Sequence, residues 1–170
     1  MRKTLTENQE HLVDSNKEYA KHFTSGHLPI PPAKKYLVVT CMDARIPPMA
    51  AYGIELGDAH VIRNAGGIAR DAYRSILISQ HMLGTTEILL IKHTQCGLRT
   101  FTNEQGRKIV NDHQGHEVCG PEFDFQPFSD LEGSVRGDVK WLKECGGVVK
   151  GGVVSGWVYQ CEDGKVKQIC

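Results

Sequence analysis

Apolar residues in this chain gather in short unbroken runs, and each run stops at a polar cluster. Residues 36–40 (YLVVT) lead into Cys41-Met42-Asp43-Ala44-Arg45, residues 59–62 into Arg63-Asn64-Ala65-Gly66-Gly67, and residues 88–91 (ILLI) into Lys92-His93-Thr94-Gln95-Cys96-Gly97. Runs of this length, rich in Val and Ile and lacking alternation, predict strands buried on both faces of a parallel sheet. Between the second and third runs, Ala69, Ala72, Tyr73, Ile76, Leu77 and Leu83 recur at helical spacing and Gly84 supplies a stop. Residues 68–83 are therefore predicted as a helix, closing a right-handed βαβ unit.

The flanking segments read differently. Leu5, Leu12, Val13 and Tyr19 sit on one loose helical stripe in an otherwise polar stretch, so residues 1–25 form an amphipathic helix that packs on something else. The proline-rich stretch 25–32 cannot be regular helix and acts as a linker. Residues 102–128, polar and interrupted by glycine and proline, predict a long irregular segment. Ser129 as N-cap with Glu132 at the capping-box position opens a second core helix, which carries Val135, Val139 and Leu142 inward and ends at Gly146-Gly147. Residues 148–159 predict a fourth strand, and a turn at 162–165 joins it to a last short strand, 166–169, as a hairpin. The fold class is α/β, with a mostly parallel central sheet flanked by helices and an N-terminal helical arm.

Composition narrows the function. With 170 residues, 40% of them hydrophobic, the chain suits one domain, 1–170, in which 1–32 is arm and linker. Twenty Lys and Arg balance twenty Asp and Glu, which leaves no basic excess for nucleic acid. The apolar runs are far too short to span a membrane, and the polar start lacks a secretory leader, so the expected setting is the cytoplasm. In that compartment the six cysteines read first as thiols or metal ligands, not disulfides.

In open α/β sheets ligands bind beyond the carboxyl ends of the strands, where the three polar clusters fall. Cys41 in the first cluster and His93 and Cys96 in the third make a Cys2His set with one position left open, the arrangement of a catalytic zinc rather than a closed structural one. If extended backbone persists past Cys41, then Cys41, Asp43 and Arg45 project to one side. Arg45 would keep Asp43 ionised, and Asp43 could orient a metal-bound water or swing onto the metal itself. The other candidates are weaker. His113, His116 and Cys119 resemble a ligand ladder without a fourth partner; Cys145 and Cys161 read as core thiols and Cys170 as a terminal one. His60 reads as packed, and Trp141 and Trp157 as core or interface aromatics. Two rival functions use the same residues: a non-catalytic zinc or redox binding module, and a thiol hydrolase with Cys41 or Cys96 as nucleophile and His93 as base.

In their order and spacing, CMDARIPP (41–48), HVIRNAGG (60–67) and HTQCG (93–97) resemble the β-class carbonic anhydrases, clearly over 36–98 and weakly through the final strands. The resemblance implies one zinc per chain held by Cys41, His93 and Cys96, an Asp43–Arg45 dyad, and self-association as a homodimer or tetramer of dimers in which the N-terminal arm embraces a partner. It implies metal-hydroxide attack on a small linear carbon electrophile (CO2, COS or CS2). Backbone amides at Gly66 and Gly67 are placed to hold the anionic product. Members of the plant-like branch are longer at both ends and carry a substrate-facing glutamine where this chain has Glu55. The chain thus resembles the compact branch, which includes carbonyl sulfide and carbon disulfide hydrolases. On that departure the sequence leans towards hydrolysis of COS to CO2 and hydrogen sulfide, with reversible hydration of CO2 as the alternative.

Overall fold

The computed structural model describes residues 5–170. Its centre is a five-stranded sheet in the order β2-β1-β3-β4-β5, formed by β1 (Tyr36–Cys41), β2 (Ala59–Asn64), β3 (Glu87–His93), β4 (Val153–Tyr159) and β5 (Val166–Gln168). The first four strands are mutually parallel and β5 runs antiparallel to β4. The register sets Cys41 beside Asn64 and His93 beside Tyr159, so the strands end nearly level and their polar clusters share one rim.

The absence of alternation in the strands follows from burial on both faces. On one face Leu37, Val39, Ile88 and Leu90 pack against Ala69, Ala72 and Ile76 of α3 (Ala69–Leu77) and Val139 and Leu142 of α5 (Leu131–Glu144). On the other, Val38 and Ile91 join Ile46, Ile54, Ile68, Leu98 and Tyr159 in a second cluster that contains Cys41 and Cys96.

Several predicted boundaries move. The helix expected over 68–83 is α only to Leu77; residues Ile78–Met82 widen into a π turn. That turn brings Ser79 into the interior, where its hydroxyl lies 2.8 Å from both His60 Nδ1 and Thr85 Oγ1, and His60 is packed as expected. The segment 102–128 is not irregular throughout: it contains a helix, Asn103–Gln114 (α4, the short Pro48–Ala51 turn being α2). Thr102 caps α4 reciprocally with Gln105, at 3.3 and 2.9 Å. Gly106 is the helix's one buried residue, and a β-carbon there would sit 2.9 Å from the Phe125 ring. The next core helix starts one residue later than expected. Asp130, not Ser129, caps it by accepting from Gly133 N at 3.0 Å, while the Ser129 carbonyl accepts from Arg99 Nε. Residues 148–152 form a turn before β4 rather than its beginning. The N-terminal helix, α1 (Glu7–Lys21), buries none of its residues; residues 1–4 of the predicted arm lie outside the described residues.

Candidate metal centre

Cys41 is the last residue of β1, His93 the last of β3, and Cys96 lies in the turn that follows β3. Their ligand atoms lie within 4.8 Å of one another, and all three residues are buried. Among the described residues no other group of three or more His, Cys, Asp or Glu side chains comes together this closely.

The glycines of the second cluster explain part of this convergence. At Gly67, with φ +61°, a β-carbon would sit 3.1 Å from the Cys41 nitrogen and the Thr40 carbonyl carbon, so only glycine lets this loop pass so close to the end of β1. The approach lets Gly66 N donate to Cys41 Sγ at 3.3 Å. The amide expected to meet a product thus meets a ligand sulfur.

The surroundings act on the two sulfurs in opposite directions. A hydrogen bond from Cys96 holds the Cys41 thiol well below its usual range, helped by the backbone amides at Asp43 and Gly66, while its own proton's partner and burial push Cys96 up. Both sulfurs lie in an apolar surrounding, and the environment favours the thiolate at Cys41. His93 is fully buried and its Nε2 has no hydrogen-bond partner. A buried polar atom left unpaired costs about 1–3 kcal/mol, which an electron-pair acceptor at that nitrogen would recover. Two sulfurs and an unpaired imidazole nitrogen are a donor set that suits zinc. The ring's other nitrogen, Nδ1, is 3.4 Å from Cys161 Sγ. Were Nε2 to serve as an electron-pair donor to a metal, the ring proton would sit on Nδ1, facing that sulfur.

Asp43 and Arg45 meet, but not through extended backbone. The strand stops at Cys41, and the chain turns so that Arg45 N donates to Asp43 Oδ1 at 2.9 Å. The guanidinium then closes a bidentate pair, Nε to Oδ1 at 3.0 Å and Nη2 to Oδ2 at 2.8 Å. Arg45's side chain first, and its backbone amide second, hold the Asp43 carboxyl far below the usual carboxylate range. Asp43 Oδ2 lies 3.9 Å from His93 Nε2, at the edge of the centre.

Two participants escape sequence reasoning. Arg63 grips the turn from β2, donating to the Cys41 carbonyl at 2.9 Å and the Asp43 carbonyl at 2.6 Å; its only sequence signal is its place in the polar cluster after residues 59–62. Cys161, read as a core thiol, is half-buried beside His93, and its spacing from Cys96 gives no hint of this. Among the described residues, none of the remaining candidates joins the group of Cys41, His93 and Cys96. Cys119 is buried with its backbone held by Asn111, and His116 turns to the Gln114 carbonyl. Cys145 donates to the Leu142 carbonyl, and Cys170 is exposed. Trp141 stacks edge-on with Tyr73 beneath Arg70, and Trp157 Nε1 donates to Ser155. Among the described residues, no helix is long and apolar enough to cross a membrane.

A family model described as carbonic anhydrase matches residues 36–120. The chain is 36% identical to beta-carbonic anhydrase 1 of Mycobacterium tuberculosis over 166 residues, covering 97% of this chain and 99% of that protein. It is 28% identical to a carbon disulfide hydrolase of Acidithiobacillus thiooxidans over 183 residues, covering 96% of this chain and 90% of the other. Among solved structures, a carbonic anhydrase from Glaciozyma antarctica superposes with a TM-score of 0.91 at 38% identity, over 98% of this chain and 100% of its own. Matched through half its length by the family model, and nearly end to end by relatives more than a third identical, the chain belongs to the β-carbonic anhydrase family of zinc-dependent enzymes.

Proposed function

We propose that the chain binds one zinc ion through Cys41, His93 and Cys96 and adds water to a small linear carbon electrophile, with CO2 hydrated reversibly to bicarbonate. The observation that carries this reading is the buried, unpaired Nε2 of His93 beside the sulfurs of Cys41 and Cys96, with the Asp43 carboxylate 3.9 Å away. Zinc held there would supply Lewis acidity sufficient to bring the pKa of a water from its bulk value to ~7.

The protein's own groups do the rest. Asp43, ionised at neutral pH, accepts a hydrogen bond from the attacking water through the oxygen that faces His93, and so aims its lone pair at carbon. Arg45 keeps that carboxylate from rotating towards the metal. Ile46, Ile68 and Leu98 keep the surroundings apolar, which strengthens each of these interactions. Gly66 and Gly67 are retained as product-side residues by position, although the Gly66 amide already serves Cys41.

Hydrolysis of COS to CO2 and hydrogen sulfide is the second reading. It is supported by the full-length similarity to carbon disulfide hydrolases and by Glu55 at the expected glutamine position. Compact length, which favoured COS in the sequence, does not separate the two: the M. tuberculosis relative named as a carbonic anhydrase is matched over 99% of its length. We place the enzyme in the cytoplasm as a homodimer or tetramer of dimers. Two assays on one zinc-loaded preparation test the choice: stopped-flow acidification with CO2, and sulfide release from COS. Fast acidification with little sulfide is expected. The opposite pattern would establish the COS reading, and protein lacking stoichiometric zinc, or fully active after Cys96→Ala, would defeat both.

A further inference from the structure

The Asp43–Arg45 pair cannot be its own anchor. The contact is bidentate, but the Arg45 side chain is 51% exposed against 17% for Asp43, so the outer edge of the guanidinium needs a second support to hold it in place. What holds the guanidinium arrives from the other end of the chain. β3 and β4 pair up to His93 and Tyr159, and one further rung, Thr94 N to the Tyr159 carbonyl at 3.0 Å, carries the pairing past the strands. Thr94-Gln95 and Cys161-Glu162 thus leave the sheet side by side.

There Glu162 uses both oxygens. Oε2 accepts from Thr94 Oγ1 at 2.7 Å and Oε1 accepts from Gln95 Nε2 at 2.9 Å. Thr94 Oγ1 in turn accepts from Cys161 N at 2.9 Å, which leaves its proton for Glu162. Gln95 presents its acceptors to Arg45: Oε1 to Nη1 and the backbone carbonyl to Nη2, both at 3.1 Å. The amide cannot be flipped, because its nitrogen must face a carboxylate and its oxygen a guanidinium. Gln95 also sits at φ +55°, a left-handed conformation that a residue with a side chain adopts only where its surroundings impose it.

We propose that Glu162 is a positioning residue: through Thr94 and Gln95 it locks Arg45, and Arg45 locks the oxygen of Asp43 that faces the metal centre. The reaction assigned to Asp43 is the one proposed above, and this inference rests on it. The brace makes the turn after β4, rather than the strand carrying the dyad, the element that determines how firmly Asp43 is held.

The test uses the zinc-loaded full chain and reads the hydrogen exchange of the Arg45 Nε–H by NMR, together with steady-state constants. Glu162→Ala should speed that exchange and lower kcat about tenfold, with KM and zinc content within about twofold of wild type. Glu162→Gln, which turns one acceptor into a donor facing a donor, should fall between the two. In an Arg45→Ala background, Glu162→Ala should cause no further loss, since its effect runs through Arg45. Gln95→Gly, which removes the side-chain link while permitting the positive φ, should repeat the exchange effect if Glu162→Ala folds poorly. Wild-type exchange in both Glu162→Ala and Gln95→Gly, or losses that add to that of Arg45→Ala, would overturn the proposal. Exchange is measured without substrate, so an inactive wild-type protein would refute the proposed reaction while the exchange rates still decide the brace.

Discussion

His93 shows how one side chain can be fixed from two directions. Its Nε2 faces the two sulfurs with no partner of its own, while Nδ1 lies 3.4 Å from Cys161. A group that takes the far proton of a ligand imidazole orients the ring and raises its basicity, and loss of such a partner costs 10–100-fold in metal affinity in comparable sites. Cys161→Ala should therefore fold normally but release zinc to a chelator about tenfold faster than wild type. An unchanged release rate would show that the sulfur is only a neighbour. Asp43→Asn makes the complementary change: it keeps the volume and removes the charge that Arg45 stabilises, so turnover should fall by at least ~100-fold with zinc retained. Near-wild-type turnover with full zinc occupancy would remove Asp43 from the mechanism. The residues legible in sequence, Cys41, Asp43, Arg45, His93 and Cys96, lie within a few positions of the apolar runs that carry them. Arg63 also adjoins such a run, but its grip on the Cys41 and Asp43 carbonyls, like the arrival of Cys161 and Glu162, depends on strand pairing across tens of residues, which no local spacing records.

At the scale of elements, the same contrast separates strands from helices. The parallel strands were legible because burial on both faces removes alternation, and that needs no knowledge of neighbours. α4 was hidden because it buries only Gly106 and so presents no apolar stripe, although its Thr102–Gln105 capping box was in plain view. The π turn after α3 is decided by interior hydrogen bonds of Ser79 to His60 and Thr85, a tertiary demand that overrides the helical spacing. The entry to the sheet yields a test of its own. Asp58, in the turn before β2, accepts from Lys34 Nζ at 2.8 Å and from Glu55 N at 3.0 Å, and it ties the chain entering β1 to the start of β2. Lys34 first, and the Glu55 amide second, lower the Asp58 pKa in the folded protein. A carboxyl whose folded pKa is depressed stabilises the fold above its unfolded pKa and loses that contribution as pH falls through the folded one. Asp58→Asn should therefore lower Tm at pH 7, and the gap to wild type should close below about pH 4. A gap that persists unchanged into acid would mean that the turn depends on shape rather than charge.

At the scale of the whole molecule, α1 is out of proportion to what supports it. The helix is 15 residues long and capped reciprocally by Thr6 and Gln9, yet none of its residues is buried and Leu12 is 67% exposed. Isolated helices of this length are marginal in water, and its surface pairs, Lys17 with Asp14 and Lys21 with Glu18, add only a few tenths of a kcal/mol each. Such a helix needs tertiary or quaternary packing along an apolar stripe. Leu12, Val13, Tyr19 and Phe23 remain exposed on this protomer, and the exposed Leu28 and Ile30 of the linker follow them. A second copy of the chain is the partner always at hand, and reciprocal exchange of arms would cover both stripes at once. Deleting residues 1–25 should then convert a homo-oligomer into a dissociated or aggregating species, measurable by sedimentation and light scattering, with zinc sites that still assemble because Cys41, His93 and Cys96 all lie in the sheet and its turns. A monodisperse monomer that retains full activity after the deletion would mean that the arm serves some other surface and that the catalytic unit is a single chain.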